Sequence, residues 1–196
     1  MSALRVGIFG GTFNPIHLGH LLLAETARQT LSLDRVLFLP ALQPPHKRAP
    51  GLLDGATRLR MVQLAVKDHP GFAASDIELR RPGPSYSIDT VRALRRALPK
   101  AELFLLVGQD MLGVRWAAWN ELKRLCTIAA VRRPDSRRAR MERGIRWLDM
   151  PLMSIASSDI RARVAGGRSI RYLVPAPVER YIRQHRLYQA GEGTSK

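Results

Sequence analysis

Arg5-Val6-Gly7-Ile8-Phe9-Gly10-Gly11-Thr12-Phe13-Asn14-Pro15-Ile16-His17-Leu18-Gly19-His20 is the stretch that decides the fold of this 196-residue chain. A short apolar run without polar alternation is what a strand buried on both faces looks like. Here it runs into two glycines and then a helical pattern, Leu18–Thr30. The same succession recurs along the chain. Apolar runs at Val36–Pro40, Phe72–Leu79, Leu103–Val107 and Cys126–Val131 read as strands, with helical patterns at Thr57–Val66, Ser87–Leu98 and Met111–Leu125 between them. Strand and helix in alternation make βαβ units, so the expected class is α/β, a doubly wound and mainly parallel sheet. Ser157–Val164 and Val178–His185 read as two more helices, a small C-terminal helical portion over about residues 150–188. Residues 1–188 are expected to form a single domain, with Pro134–Arg146 an Arg-rich surface excursion and 189–196 a flexible tail.

Composition bounds the function without naming it. At 45% hydrophobic and 24% charged residues the chain reads as a globular protein. Against 16 acidic residues stand 32 basic ones, 27 of them Arg, for a net charge of +16. Such a balance points to an anionic partner, either a nucleic acid or a small anion, or to an Arg-rich solvated surface. A lone cysteine, Cys126, lies in an apolar run and is expected as a buried thiol. With no signal peptide and no apolar stretch of roughly 20 residues, the reading is a cytoplasmic protein that crosses no membrane.

The chemistry gathers after the first strand. In open α/β sheets ligands sit beyond the carboxyl ends of the strands, and Gly10-Gly11 allows backbone to approach a phosphate. The loop is neither a G-x-G-x-x-G fingerprint nor a P-loop. His17 and His20, three apart at a helix start, can donate to phosphate oxygens on which charge gathers during transfer. A zinc site is the other reading of a His pair, and no convincing third ligand lies nearby. Asp54 and Ser87 are expected N-caps, and Ser157-Ser158-Asp159 has the composition of a capped helix start that could face an anion.

Gly11-Thr12-Phe13-Asn14-Pro15-Ile16-His17-Leu18-Gly19-His20 resembles the signature of the T/HxGH nucleotidyltransferases, in its HxGH form. Further segments resemble the bacterial nicotinate-nucleotide adenylyltransferase family within that superfamily: Pro44-Pro45-His46-Lys47, Ser85-Tyr86-Ser87-Ile88-Asp89-Thr90, Gly108-Gln109-Asp110-Met111-Leu112 with Trp116 and Trp119, and Ala156-Ser157-Ser158-Asp159-Ile160-Arg161. The ending, Tyr172-Leu173-Val174-Pro175 through His185-Arg186-Leu187-Tyr188, is similar too.

The resemblance implies a Rossmann-like sheet and a set of roles. Catalytic His17 and His20, with the loop Gly10, Gly11, Thr12 and Phe13, would hold the phosphates of ATP. Ser157, Ser158 and Arg161 would grip the triphosphate. Gly108 and Asp110 would contact ribose. His46 and Lys47 would reach the anionic groups of the substrates, and Ser87 with Trp116 would form the nicotinate pocket. Each has a plainer reading beside it: Lys47 as a solvated lysine, Asp110 as a helix cap, Trp116 as packing, Arg161 as one more surface arginine. Ala156, Ser158, Ser87 and Asn14 depart from the residues usual in the family, which puts single contacts in question.

The implied reaction transfers AMP from ATP to nicotinate mononucleotide, giving deamido-NAD and pyrophosphate, with Mg2+ carried by ATP and no protein metal site. The acceptor phosphate is already nucleophilic at neutral pH, so no general base is assigned. Two alternatives stand: a preference for nicotinamide mononucleotide, and a basic nucleic-acid-binding module. The expected partners are small molecules rather than nucleic acid or membrane, with room for a homo-oligomer.

Overall fold

The computed structural model describes residues 3–44, 51–132, 144–151 and 153–189. Six strands form one sheet: β1 (Arg5–Gly11), β2 (Arg35–Pro40), β3 (Phe72–Ala74), β4 (Glu102–Gly108), β5 (Thr127–Val131) and β6 (Ile145–Leu148). Their order is β3-β2-β1-β4-β5-β6, and every pairing is parallel. β1 is therefore central, with β2 and β3 on one side and β4, β5 and β6 on the other. All six carboxyl ends lie at one edge. The chain order reverses direction beside β1, which places the ligand crevice of an open parallel sheet at the β1 and β4 ends.

Six helices cover the two faces: α1 (Leu18–Thr30), α2 (Gly55–Val66), α3 (Ser87–Ala97), α4 (Trp119–Leu125), α5 (Ser157–Ala165) and α6 (Ala176–Gln184). The strands read as unbroken apolar runs because both faces are buried. Val6 and Ile8 of β1, with Leu103, Leu105 and Val107 of β4, pack under α3 and α4. Phe9, Phe104 and Leu106 point the other way, into a core shared with α1, α2, α5 and α6.

Three expected elements differ. The third strand stops at Ala74 instead of reaching Leu79, because Ser75-Asp76 turns the chain: the Asp76 carbonyl accepts from the Leu79 and Arg80 N–H groups, and Ser75 Oγ from Ile77. The helix expected over Met111–Leu125 is split. A 3-10 turn at Gln109–Gly113 ends in extended Val114, and α4 starts only after Ala118, whose φ is +52°. The stretch expected as an excursion, Pro134–Arg146, runs at its end into a sixth strand, with Ile145 and Leu148 buried against β5; residues 133–143 lie outside the described residues.

Asp54 caps α2 as expected, accepting from the Thr57 N–H at 2.8 Å. Ser87 and Ser157 do not cap their helices. Tyr86 and Ala156 hold the N-cap positions, and each serine is the first helical residue. Cys126 is buried, donates to the Leu122 carbonyl and has its pKa pushed up to about 11 by burial, so it stays a thiol.

Candidate active site

The segment that leaves β1 turns through residues 12–17 before α1 begins. Phe13 is buried with φ +47°, and its ring lies directly beneath Gly11: a Cβ there would stand 2.9 Å from the ring. Gly10 is different. Among the described residues, a Cβ at Gly10 would meet nothing nearer than Glu78 Oε1 at 3.9 Å, so none of them requires a glycine there. Gly11 thus serves the fold, while Gly10 leaves room for something to come close.

His17 caps α1 and His20 lies one turn in. Their rings stack, with centroids 3.6 Å apart and planes 24° from parallel. The His17 N–H donates to His20 Nδ1 at 3.2 Å. An accepting Nδ1 puts the proton of neutral His20 on Nε2, which is then its donor nitrogen. Phe13 meets the His20 ring edge-on at 5.0 Å and Phe9 lies at 6.0 Å, fixing that ring.

The turn is held from distant parts of the chain. Arg58 of α2, 1% exposed, donates from Nη1 to the Thr12 carbonyl at 2.8 Å and from Nε to the Leu53 carbonyl at 2.8 Å. From α5, Arg161 Nη1 reaches the Asn14 carbonyl at 3.0 Å, and Ser157 Oγ the Pro15 carbonyl at 2.9 Å. The Leu18 N–H at the helix start is taken by the Leu173 carbonyl at 2.9 Å. The C-terminal segment and the first loop therefore meet. Ser158 is exposed and its hydroxyl turns to Asp159.

At the end of β4, adjacent to β1, the exposed carboxylate of Asp110 folds back over Gly108: a Cβ on Gly108 would lie 2.6 Å from Asp110 Oδ1. Trp116 is half-buried and donates from Nε1 to the Met111 carbonyl at 2.7 Å, its ring 5.5 Å from that of Trp119. Ser87 opens α3, which is tied to α4 by the Arg92–Glu121 ion pair. Ser87 and Trp116 thus belong to neighbouring segments on one face of the sheet. His46 and Lys47 lie outside the described residues.

Four residues that shape the site had been assigned no role: Arg58, Ser85, Glu78 and Tyr188. Arg58 had a readable signal, since it occupies the apolar stripe completed by Met61, Val62 and Val66. Ser85 is buried and accepts from the Leu42 N–H at 2.9 Å. Glu78 is 4% exposed and accepts from Thr90 Oγ1 at 2.7 Å. Burial pushes its carboxyl pKa up from 4.5, against the hydrogen bonds of Thr90 and Ser85 and the charge of Arg81, which pull it down.

A parallel sheet with a glycine turn, stacked imidazoles and an arginine helix at its carboxyl edge defines a nucleotidyltransferase, and the family model described as cytidylyltransferase-like matches residues 8–163. A probable nicotinate-nucleotide adenylyltransferase of Symbiobacterium thermophilum is 45% identical over 96% of this chain and 97% of its own. One of Thermus thermophilus is 45% identical over 95% of this chain and its own full length. The chain belongs to the nicotinate-nucleotide adenylyltransferase family. Its fold also matches, at 15% identity and a TM-score of 0.80, the Plasmodium falciparum nicotinic acid mononucleotide adenylyltransferase complexed with NaAD, over 94% of this chain and 97% of that one.

Two outcomes follow from the glycines and the buried carboxylate. Gly10→Ala should unfold within about 2 °C of the wild type yet raise the KM for ATP roughly tenfold, whereas Gly11→Ala should lose about 1–3 kcal/mol of stability through the Phe13 clash. Calorimetry beside steady-state kinetics separates the two. Glu78, with its raised folded-state pKa, favours folding below pH 4.5, and that benefit disappears as pH rises through the folded value. The Tm of Glu78→Gln relative to wild type should therefore climb as the pH rises above about 4.5; a flat difference contradicts the buried-carboxylate reading.

Proposed function

We propose that this enzyme adenylylates nicotinate mononucleotide within one catalytic unit, residues 1–188. An oxygen of the acceptor's 5′-phosphate attacks the α-phosphorus of ATP in line. The bond from that phosphorus to the α,β-bridging oxygen breaks, its electron pair leaves with pyrophosphate, and deamido-NAD remains. The observation that carries the reading is the convergence on residues 10–20 of the stacked His17–His20 pair and of Arg161 and Ser157 from α5.

The protein's work in this reaction is electrostatic. Charge accumulates on the oxygens of the transferring group and the leaving pyrophosphate, so pre-aimed donors lower the barrier. His20 Nε2–H is one such donor and His17 stacks against it. The backbone of Gly10, Gly11, Thr12 and Phe13 lines the approach to the phosphates, with the Arg58 charge behind Thr12. Arg161 spends Nη1 on the Asn14 carbonyl and keeps its remaining N–H groups for the triphosphate, with Ser157 and Ser158 beside it. Asp110, over Gly108, suits ribose hydroxyls. Ser87 and Trp116 are assigned to the pyridine ring, and His46 and Lys47 to the anionic groups of the substrates.

Magnesium enters as part of the substrate, MgATP, a cation that leans on phosphate oxygens and keeps several waters. Among the described residues no three His, Cys, Asp or Glu side chains gather as a metal cage. The partners on this reading are the two nucleotides, with no nucleic acid or membrane. No helix among the described residues is long and apolar enough to cross a bilayer, and the reading places the enzyme in the cytoplasm. The complex of the Plasmodium relative with NaAD supports the same product class.

His20→Ala should lower kcat by about 10²-fold or more, the usual loss on removing a transition-state donor; turnover near wild type would remove His20 from this role. Given ATP and equal nicotinate mononucleotide, nicotinamide mononucleotide and phosphopantetheine, the enzyme should form deamido-NAD as its main product. A majority of NAD would assign it instead to the amide substrate.

A further inference from the structure

Asn14 is 2% exposed. Its Nδ2 donates to the Gly51 carbonyl at 3.0 Å, and its Oδ1 accepts from the Tyr188 hydroxyl at 2.8 Å and from the Leu53 N–H at 3.4 Å. The Leu53 N–H can only donate and the Gly51 carbonyl can only accept, so the amide has one orientation and the Tyr188 hydroxyl is left to donate. Asn14 thereby links the turn after β1 to the segment entering α2 and, 174 positions further on, to the end of the described chain.

Tyr188 is a fixed anchor. Its ring packs against the core that holds Phe13 and Ile16, and its backbone has φ +63°. Burial pushes its hydroxyl pKa up, while the charges of Arg161 and Arg58 pull it down, so the two guanidiniums that hold Asn14 and Thr12 are its electrostatic neighbours. A phenylalanine would fill the same space; only the hydroxyl speaks to Asn14.

We infer that Tyr188 is a positioning residue for ATP: through Asn14 it sets the course of the loop whose backbone and histidines meet the phosphates, without touching the nucleotide. Arg58 fixes that loop by the carbonyl of Thr12 and Arg161 by that of Asn14, while Tyr188 and the Gly51–Leu53 segment hold it by the Asn14 side chain. The inference rests on the proposed ATP site and adds to it a residue outside that site.

The test compares Tyr188→Phe, Asn14→Ala and the double variant with the wild type. Calorimetric binding of α,β-methylene-ATP is measured beside the KM for ATP and for nicotinate mononucleotide. Tyr188→Phe should weaken analogue binding and raise the KM for ATP about fivefold, the loss of one well-formed hydrogen bond, with the mononucleotide KM within about twofold of wild type. Because both residues act through one bond, the double variant should bind no more than about twofold weaker than Asn14→Ala. Unchanged analogue affinity in Tyr188→Phe, with or without a lower Tm, overturns the inference, as do losses that multiply in the double variant. A wild-type enzyme that binds the analogue but makes no deamido-NAD overturns the proposed reaction and leaves this inference standing.

Discussion

The buried Arg58 guanidinium is the contact on which the rest of the site depends. It lies beneath the first turn with hydrogen bonds to two main-chain carbonyls, Thr12 and Leu53. A cation removed from water keeps a demand for negative potential that neutral carbonyls meet only in part. The turn above it is thereby biased toward anions before any ligand arrives. With Arg161 drawing on the next carbonyl but one, residues 12–14 sit between two guanidiniums.

Each component then has a physical place. The parallel sheet gathers its carboxyl ends at one edge, β1 being central brings the glycine turn there, and α5 comes back to it through Ser157 and Arg161. Stacking fixes the His17–His20 pair, and the Nδ1 hydrogen bond sets which nitrogen of neutral His20 carries the proton. The net charge of +16, which by itself suggested only some polyanion, resolves at this edge into a few placed cations. Most of the other arginines have no assigned ligand.

The order of strand and helix was legible because strands covered on both faces leave uninterrupted apolar runs, and β1, β2, β4 and β5 all have them. β6 was hidden: its sequence, Ile145-Arg146-Trp147-Leu148, is four residues long, is interrupted by an arginine and follows a long basic stretch. The third strand was overread because Ile77 and Leu79 are apolar, yet Ser75-Asp76 had already turned the chain. His17, His20 and Arg161 were legible through motif spacing and helix starts. The roles of Tyr188, Glu78 and Ser85 were not, although Ser85 and Tyr188 lie in segments that resemble the family, because those roles arise from partners 12 to 174 residues away.

That separation has a consequence for how the enzyme comes into being. Residues 12–15 are made well before three of the groups that hold them, at 157, 161 and 188. A chain emerging from the ribosome N-terminus first can pair β1 with β2 early, yet it cannot complete its first loop until the last two helices have been synthesised. A chain that stops short of α5 can hold the paired strands and still lack the Ser157, Arg161 and Tyr188 contacts that fix its first loop.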